Sequence, residues 1–577
     1  MNSQLFALGG LGWLLVPFIG FAYLALKRAY SSVDVPSQAN ETLAFRVYVL
    51  SVLSSMIYFL VVSYTLLANW MWGARVGQSS WSSYHWTLDS WAADPLYFEE
   101  LNTFSMPVLD LVHTDSVWIN HPTNFLEFVN IGGWLNIPFG VDGLSLSLIV
   151  LTAFIVPLCL LYCQRNVHSY VSMAFYLIIL EILLVIAFWT RDLVLFFIMF
   201  EVILWPMYRL IVTWGSHEAK KKAAMSFVLY TIFGSLILLI VILVSLVTFK
   251  TTSIDVMSSS FPDQAWWAAL LWVPAFIAFT VKVPTWPFHH WLTLAHVEAP
   301  TVGSVILAAL LLKLGSYGFL RYMLPLFSDP INFSQFMPLA ATLCLLSVIF
   351  AALMAISQSD LKRIVAYSSI AHMNFSLLGL LSMSDRAIVG GTILFIAHGF
   401  VSAAMFFSVG MMYDRYHQRD LLYYRGLASV APVFSLLYFL TNLANLGVPL
   451  SFNFLGEFLI FAEVMNIYYF AAPLLIVALI IQVGYTMKLV SILFGDTIQF
   501  VNAPKLVWSD LTLHEIVILV LLVIPAYYFG IRGDNFIDLM RQIDPLLNHS
   551  GGHYVEGLSD LLDGKESVVA LNEPDLW

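Results

Sequence analysis

Charged residues are scarce in this sequence of 577 residues, where Asp, Glu, Lys and Arg together make up 11%. Soluble domains carry about 25% charged residues, so the composition excludes an ordinary water-soluble globule, a coiled coil and a disordered chain. Apolar residues take their place, since 60% of the chain is hydrophobic and the mean hydropathy is +0.84. A membrane-spanning helix needs about 20 mostly apolar residues, and many such runs are present. The sequence therefore predicts an all-α polytopic membrane protein.

Cysteine and positive charge are also scarce. The three cysteines, Cys159, Cys163 and Cys344, lie in apolar runs, which is typical of helix packing and not of a disulfide framework or a metal site. The formal net charge of −11 argues against a nucleic-acid partner. The sequence lacks a phosphate-binding glycine loop, a nucleophile elbow and a cysteine cluster for iron–sulfur binding. It therefore predicts no cofactor and no metal in this chain.

Apolar-run length predicts about 14 transmembrane helices. The expected spans are 4–27, 47–71, 143–164, 169–189, 192–214, 223–249, 265–284, 301–324, 335–357, 362–382, 387–413, 429–467 (broken), 470–494 and 511–530. The first of these is too long for a secretory signal and lacks its basic start, so we interpret it as a membrane helix.

The chain divides into three regions on this pattern. Residues 1–142 contain the N-terminal helices and a long loop, 73–141, which exceeds the length of a simple connector and predicts a cap or a docking surface. Residues 143–495 form the expected core. Residues 496–577 contain the last helix and an acidic tail, for which a second contact surface and a disordered end remain equal alternatives.

Lysine and arginine are unevenly distributed between the loops. The basic connections are Lys27-Arg28, residues 217–222, Lys362-Arg363 and residues 415–425, whereas the 73–141 segment contains a single arginine. Counting the spans alternately places all basic connections on one face of the membrane. Because basic loops stay on the negative (n) side, we expect both termini on the positive (p) side.

Four ionisable residues lie inside predicted spans or at their breaks, namely Glu201, Lys282, Lys313 and Glu457. A charge at the bilayer centre costs about 2.5–3.5 kcal/mol on insertion scales, so such residues are functional candidates. The alternative is a structural ion pair or a side chain that snorkels to the interface. Snorkelling suits three residues near span ends, Arg209, Arg321 and Lys488. For Glu181, a mid-span carboxylate without a nearby break, the two interpretations stay open.

Two of these residues lie beside helix breaks. Pro284 and Pro287 follow Lys282, and Gly447 and Pro449 precede Glu457. Proline removes an amide donor and frees backbone carbonyls, and a broken helix with an ionisable residue is a common ion site in secondary transporters. The breaks fall in spans seven and twelve. The two breaks are five spans apart. Because five is an odd number of crossings, the two units have opposite topology in the membrane, which predicts two inverted five-helix repeats, over about 169–324 and 335–494.

Histidines supply a connection between the two breaks. His372 and His398 lie in consecutive spans, and an ordinary histidine exchanges protons near neutral pH. A buried hydrogen-bonded histidine and a haem ligand are the alternatives. For the cluster of His289, His290 and His296, zinc is an alternative to polar groups at a water-filled helix end. Six titratable residues thus form a row in chain order, namely Glu201, Lys282, Lys313, His372, His398 and Glu457. This row predicts a proton path.

Several sequence blocks resemble one family, the antiporter-like subunit 4 of proton-pumping NADH:ubiquinone oxidoreductase (respiratory complex I). The blocks are Ala278-Phe-Thr-Val-Lys-Val-Pro-Thr-Trp-Pro-Phe-His-His-Trp-Leu-Thr-Leu-Ala-His-Val-Glu-Ala-Pro300, Ser359-Asp-Leu-Lys-Arg-Ile-Val-Ala-Tyr-Ser-Ser-Ile-Ala-His372, Ile396-Ala-His-Gly-Phe400, Asn453-Phe-Leu-Gly-Glu-Phe-Leu-Ile460 and Phe139-Gly140-Val-Asp-Gly143. The similarity covers roughly residues 140–495. Departures from the family pattern are Thr293, Leu294 and Lys488.

The resemblance implies a role for each residue of the row. Glu201 and Lys282 match a pair whose making and breaking gates protonation. The proton then passes from Lys313 through the two histidines to Glu457, which serves the exit. Supporting positions are Pro284, Pro287, His289, His296, Glu298, Gly447 and Pro449.

The resemblance also implies a cofactor and partner pattern. NADH, FMN, iron–sulfur clusters and ubiquinone would be bound by other subunits of the complex. The partners would be neighbouring antiporter-like subunits, accessory subunits on the long loop and tail, and membrane lipids. Extensions of this kind favour the mitochondrial inner membrane over a bacterial plasma membrane.

Three other functions compete with this interpretation. A cation/proton antiporter or membrane-bound hydrogenase subunit shares the fold and most of the charges, although Glu457 in its Gly-Glu-Phe setting argues against it. A quinone- or haem-binding electron-transfer protein would carry a chromophore. A structural scaffold would need its intramembrane charges for assembly alone.

Overall fold

The computed structural model describes residues 38–73, 139–166, 169–216, 218–259, 266–326, 330–467, 471–494, 509–534 and 536–537. Within these ranges the regular secondary structure is helical, with three isolated β-bridges between loops. This confirms the all-α prediction. The expected span 4–27, most of the 73–141 segment and the acidic tail lie outside the described residues.

The first half of the described chain forms nine helices. They are α1 (Gln38–Gly73), α2 (Gly143–Asn166), α3 (Tyr170–Trp189), α4 (Leu193–Val202), α5 (Leu204–Trp214), α6 (Lys220–Phe249), α7 (Ile254–Ser259), α8 (Trp266–Lys282) and α9 (His290–Glu298). The expected span 192–214 is thus interrupted at Ile203, two residues after Glu201.

The second half contains the longer helices. They are α10 (Thr301–Leu326), α11 (Pro330–Ser357), α12 (Leu361–Leu381), α13 (Asp385–Tyr416), α14 (Pro432–Asn445), α15 (Phe452–Ile467), α16 (Ala471–Phe494) and α17 (Leu513–Ile531). Two π-helical turns, Leu307–Leu311 and Phe319–Met323, interrupt α10.

Polar residues at the helix starts explain several of these boundaries. Asp192 accepts a hydrogen bond from the Leu195 amide at the start of α4, and Asp360 accepts from two amides at the start of α12. Thr512 and Glu515 form a reciprocal capping box on α17. Such caps satisfy amides that have no partner inside the helix.

The described residues contain 11 helices that are long and apolar enough to cross a membrane. The helix pairs α8–α9 and α14–α15 lie where the sequence predicts broken crossings in spans seven and twelve. The full number of about 14 crossings and the inverted repeats stay predictions.

The most buried helices occupy the centre of the molecule. All side chains of α12 between Leu361 and Leu381 are buried except Arg363, and most of α10 and α13 is buried too. Helices α6 and α17 are peripheral, with large apolar side chains such as Phe233 and Ile524 exposed outwards. The intramembrane charges therefore lie on or next to the helices that are shielded from lipid.

Three of the four predicted basic connections meet at one end of the molecule. Leu361 N donates to Arg419 O, and Leu421 N donates to Ser359 O, which joins the loop before α12 to the loop before α14. Ser216 N donates to Glu298 O, which adds the loop before α6 and the end of α9. We call this end the basic face.

Arg321 corrects one expectation. Its side chain is 1% exposed and does not snorkel, because its guanidinium pairs with Asp142 and also contacts the hydroxyls of Ser145 and Tyr317. Arg209 is exposed and Lys488 is partly buried, so for these two residues snorkelling stays a prediction. The Phe139–Gly143 turn thus contributes the carboxylate that holds a buried arginine of α10.

Candidate functional site

The break between α8 and α9 is stabilised by three neighbouring side chains. Trp291 Nε1 donates to Val281 O at 2.9 Å, Asn374 Nδ2 donates to Pro284 O at 3.2 Å, and Trp286 N donates to Ser347 Oγ at 2.8 Å. Backbone groups released inside a membrane must find partners within the protein. The break is therefore a built feature of the fold, and the peptide bond between Trp286 and Pro287 within it is cis.

The break between α14 and α15 is stabilised from α16. Gln482 Nε2 lies 3.2 Å from Asn445 O and 3.4 Å from Leu446 O, the carbonyls freed at the end of α14. Gly447 follows with φ of 71°, a conformation that favours glycine. A methyl group at 447 would collide with Glu457 Oε2, so glycine also makes room for the carboxylate.

Lys282 ends α8 and is 2% exposed. Its Nζ lies 3.9 Å from the centroid of the Phe200 ring, a favourable cation–π position. Among the described residues, neither Lys282 Nζ nor Glu201 Oε1 has a hydrogen-bond partner, although Glu201 is the carboxylate that attracts the lysine electrostatically. The structure brings the predicted pair into one region without joining it by a hydrogen bond.

Lys313 lies in α10, two residues after the end of the first π-helical turn. Such turns release carbonyls from the regular helical ladder and are frequent at functional sites. Lys313 Nζ donates to Ala308 O at 2.6 Å and lies 2.9 Å from His398 Nδ1 on α13. Lys313 is completely buried. One proton can therefore be shared between the amine and the imidazole without access to bulk solvent.

His372 and Glu457 continue this line. The rings of His398 and His372 have centroids 5.5 Å apart, and His372 Nδ1 lies 3.1 Å from Glu457 Oε1, an ion-pair distance. Both histidine Nε2 atoms are buried without a partner in the described part of the chain, and a small cavity borders His372. Buried ring nitrogens of this kind are usual sites of bound water. The spatial order is Lys313, His398, His372 and Glu457.

The supporting histidines are separated in space. His289 lies at the break and packs edge-on against Phe350, whereas His290 is exposed. His296, in α9, is fully buried and stacks on Phe406 with centroids 4.5 Å apart. Within the described residues, no group of three or more His, Cys, Asp or Glu side chains is placed to hold a metal ion.

Lys362 is a site residue that the sequence pattern concealed. It belongs to a basic connection, yet it is 1% exposed and its Nζ donates to Ala299 O at 2.9 Å. Both Lys362 and Lys313 act electrostatically on His296, whose two ring nitrogens have no partner in the described structure. His296 is therefore within electrostatic range of both Lys313 and Lys362, a buried cation of the basic face. The sequence feature that could have identified Lys362 is its place in the first turn of an otherwise apolar helix.

Two further residues lie away from the row. Glu181, in α3, is fully buried, and both of its oxygens are 2.9 Å from Ser55 Oγ on α1. Lys488, in α16, donates to Ile356 O and Gln358 O at the end of α11. Both residues link neighbouring helices, which fits a structural role.

Together, the two broken helices and the buried line of exchangeable protons define an antiporter-like membrane subunit. A family profile described as NADH:quinone oxidoreductase/Mrp antiporter, TM, matches residues 190–482. The chain is similar to NADH-ubiquinone oxidoreductase chain 4 of Prototheca wickerhamii, with 40% identity over 415 residues that cover 70% of this chain and 77% of the relative. Its similarity to the protein of the same name from Marchantia polymorpha is 39% over 445 residues, covering 75% and 88%. The chain therefore belongs to this membrane-subunit family, within the group of NADH-ubiquinone oxidoreductase chain 4.

The fold comparison agrees with the family. A chain of the structure titled "Respiratory complex I from Thermus thermophilus with bound NADH" matches with a TM-score of 0.70 and 24% identity, covering 93% of this chain and 99% of that chain. This likeness shows the antiporter-like fold.

Proposed function

We propose that this chain is a proton-translocating membrane-arm subunit of NADH:ubiquinone oxidoreductase, and that it couples electron transfer elsewhere in the complex to proton movement. The observation that carries the proposal is the contact line from Lys313 through His398 and His372 to Glu457. Each neighbour in this line is a group that gains or loses a proton. Family membership supports the complex in which the line operates.

Proton movement along the line needs two kinds of transfer. Lys313 Nζ–H can donate to His398 Nδ1, or the protonated ring can donate to the neutral amine, across 2.9 Å. The ring-to-ring step needs a bridging water, since the centroids are 5.5 Å apart and both Nε2 atoms lack other partners in the described chain. His372 Nδ1 then exchanges a proton with Glu457. No step needs a metal or a redox group from this chain's residues.

Lys282 and Glu201 serve as the gate in this proposal. Lys282 has no hydrogen-bond partner among the described residues, and burial disfavours the charged ammonium form of such a side chain. Movement of Glu201 toward Lys282 would stabilise the charged form, and separation would favour proton release toward Lys313. The open geometry of the pair supports a site that changes state.

Electron transfer is assigned to other subunits. We propose that they bind NADH, FMN, iron–sulfur clusters and ubiquinone, and that this chain contacts neighbouring antiporter-like subunits, accessory subunits and lipids. The algal and liverwort relatives support the mitochondrial inner membrane. The basic face would be the n side, by the positive-inside rule, with both termini on the p side.

A subunit of a cation/proton antiporter is the second candidate. The family description includes Mrp antiporters, and their function also needs buried titratable residues in broken helices. The names of the relatives favour the oxidoreductase. An assay of sodium-driven exchange against NADH-driven proton pumping separates the two.

Lys313→Ala tests the proposed function in membranes that contain the assembled complex. We expect NADH-driven proton pumping and NADH:quinone turnover to fall about 100-fold, the usual contribution of a positioned proton-transfer group. Electron transfer to an artificial acceptor should persist. The control is Lys221→Ala, an exposed lysine of α6. Normal pumping by an assembled Lys313→Ala complex would refute the proposal.

A further inference from the structure

Helix α5 carries an exposed arginine within a membrane span. Helices α4 and α5 together form the candidate span Leu193–Trp214, and Arg209 lies five residues before its end at the basic face. At 1.5 Å per residue, the Arg209 Cα is about 8 Å below that end. The headgroup region of a bilayer is about 5–7 Å thick on each side of the hydrocarbon core. The Arg209 side chain therefore leaves α5 near the boundary between headgroups and acyl chains.

Arg209 has no counter-charge among the described residues. Four other arginines each pair with a carboxylate, namely Arg191 with Asp255, Arg321 with Asp142, Arg386 with Glu463 and Arg415 with Glu515. None of the described carboxylates lies within ion-pair distance of Arg209. A charged side chain at membrane depth is costly unless an anion or water accompanies it. The partner of Arg209 therefore has to come from outside the described chain.

Aromatic side chains of α3 and α5 form a cluster next to this arginine. The Tyr176 ring lies between two indoles, with centroids 5.7 Å from Trp205 and 6.0 Å from Trp214. The Tyr176 hydroxyl is a neighbour of the Arg209 guanidinium. Trp214 Nε1 donates to Ser169 Oγ at 3.2 Å, at the exposed start of α3. Tryptophan and tyrosine are enriched at the headgroup level of membranes, so the cluster marks this contact as interfacial.

Lys220 adds a second positive charge at the end of α5. Its Nζ donates to Thr213 O at 3.3 Å and to Gly215 O at 3.4 Å, which leaves one of its three hydrogens unused by these contacts. Thr213 is one turn above Arg209, and its hydroxyl donates to Arg209 O at 2.6 Å. Glu218 is the acidic residue of the 217–222 connection, where three lysines outnumber it. The end of α5 therefore carries an excess of positive charge.

Exposed apolar side chains continue from Arg209 toward the membrane centre. Ile198, Val202 and Trp205 are between 43% and 54% exposed and recur every three or four residues, so they share one face with Arg209. Glu201 Oε1, in the same segment, is buried. The order from the basic face inwards is thus two cations, an aromatic cluster and an apolar stripe. A phospholipid presents a phosphate and then acyl chains in the same order.

We propose that Arg209, Lys220 and Tyr176 bind the phosphate of an anionic phospholipid, with one acyl chain along Ile198, Val202 and Trp205. The guanidinium presents a fork of N–H donors that matches phosphate oxygens. The Lys220 ammonium and the Tyr176 hydroxyl donate further hydrogen bonds. A zwitterionic lipid binds less well, because its own ammonium group is repelled by the two cations. This site goes beyond the proposed function, since it rests on the membrane location of the chain and not on the proton path.

A photoactivatable phosphatidylglycerol tests the site in the purified, assembled complex. The probe carries a diazirine on one acyl chain, and peptide mass spectrometry locates its adducts. We expect adducts in residues 193–214 that unlabelled phosphatidylglycerol prevents and phosphatidylcholine does not. Equal labelling by a phosphatidylcholine probe would show an unselective lipid-facing surface. Absence of labelling by both probes would show that protein covers this face, and either result overturns the proposal.

Arg209→Gln should lower this labelling about tenfold, because it removes hydrogen bonds between charged groups. Arg209→Lys keeps the charge but loses the fork, so its labelling should be intermediate. The matched control is Arg363→Gln, which removes an exposed arginine of the basic face from the first turn of α12. Unchanged labelling in Arg209→Gln would refute the site. If Arg209→Gln does not assemble, the comparison of the two probes on the parent complex still decides.

Lipid labelling and proton pumping report on different proposals. Lys313→Ala should bind the probe like the parent complex while its pumping falls, since Lys313 is buried in α10. Selective labelling together with normal pumping in Lys313→Ala would overturn the proposed function and leave the lipid site in place. Unselective labelling with loss of pumping in Lys313→Ala would do the opposite.

Discussion

At the scale of single residues, Lys282 is unusual because a buried ammonium group has a ring beneath it and no hydrogen-bond partner in the described structure. A structural ion pair would look different, as Arg321 shows through its contacts with Asp142. A buried charge without a hydrogen-bond partner lowers stability, and proteins usually retain such a cost only where activity needs the residue. The contrast supports a functional role for Lys282 and a structural role for Arg321.

Lys282→Met should separate stability from activity. Methionine has a similar length and no charge, so we expect the melting temperature of the complex to stay equal or rise, while proton pumping falls about 100-fold. Differential scanning fluorimetry and NADH-driven proton uptake measure the two quantities. A clear drop in melting temperature, with pumping intact in the remaining complex, would make Lys282 a structural residue.

At the scale of elements, the two broken helices depend on side chains from their neighbours. Asn374 of α12 bonds to the break after α8, and Gln482 of α16 bonds to the break after α14. Proline and glycine interrupt the helices, but they do not satisfy the carbonyls that they release. The amide side chains therefore fix the geometry in which Lys282 and Glu457 are held.

Gln482→Leu tests this support at the second break. The carbonyls of Asn445 and Leu446 would lose their donor, which costs about 1–3 kcal/mol for a buried group. We expect a lower melting temperature together with slower NADH:quinone turnover, because Glu457 lies over the same turn. The control is Ile480→Leu, an exposed position of the same helix. Equal melting temperatures for the two variants would contradict the role of Gln482.

At the scale of the whole molecule, Asp142 and Arg321 connect the start of α2 to the central helix α10. Burial alone would raise the pKa of Asp142, but attraction to Arg321 and Arg191 outweighs it and lowers the pKa from 3.8 to about 2. A carboxylate whose pKa is lowered by folding stabilises the folded state at pH values above its pKa in the unfolded chain. That contribution disappears as the pH falls from 3.8 to about 2.

Asp142→Asn should destabilise the complex by about 3 kcal/mol at pH 7, because it leaves the Arg321 charge buried without its carboxylate. The difference from the parent protein should shrink as the pH falls through the range in which Asp142 becomes protonated. Melting temperatures measured between pH 7 and the acid limit of folding test both statements. A difference that stays constant with pH would show that Asp142 acts through packing.

Much of the membrane architecture followed from the sequence. Apolar runs predicted the helices, and Pro284, Pro287, Gly447 and Pro449 predicted both breaks, because these residues act through local backbone geometry. The prediction that the Arg321 side chain snorkels to the interface was wrong, because its partner Asp142 lies far away in the sequence. The role assigned to each residue of the row stays a prediction that mutagenesis has to test.

The sequence by itself determined that this is an all-helical membrane protein of the antiporter-like family, with ionisable residues at two broken helices. Tertiary structure decided the spatial order from Lys313 to Glu457 and the burial of Lys362. The physical reason is that composition and spacing act along one helix. Hydrogen bonds and burial depend on which distant helices come together, and no local pattern in the chain specifies that.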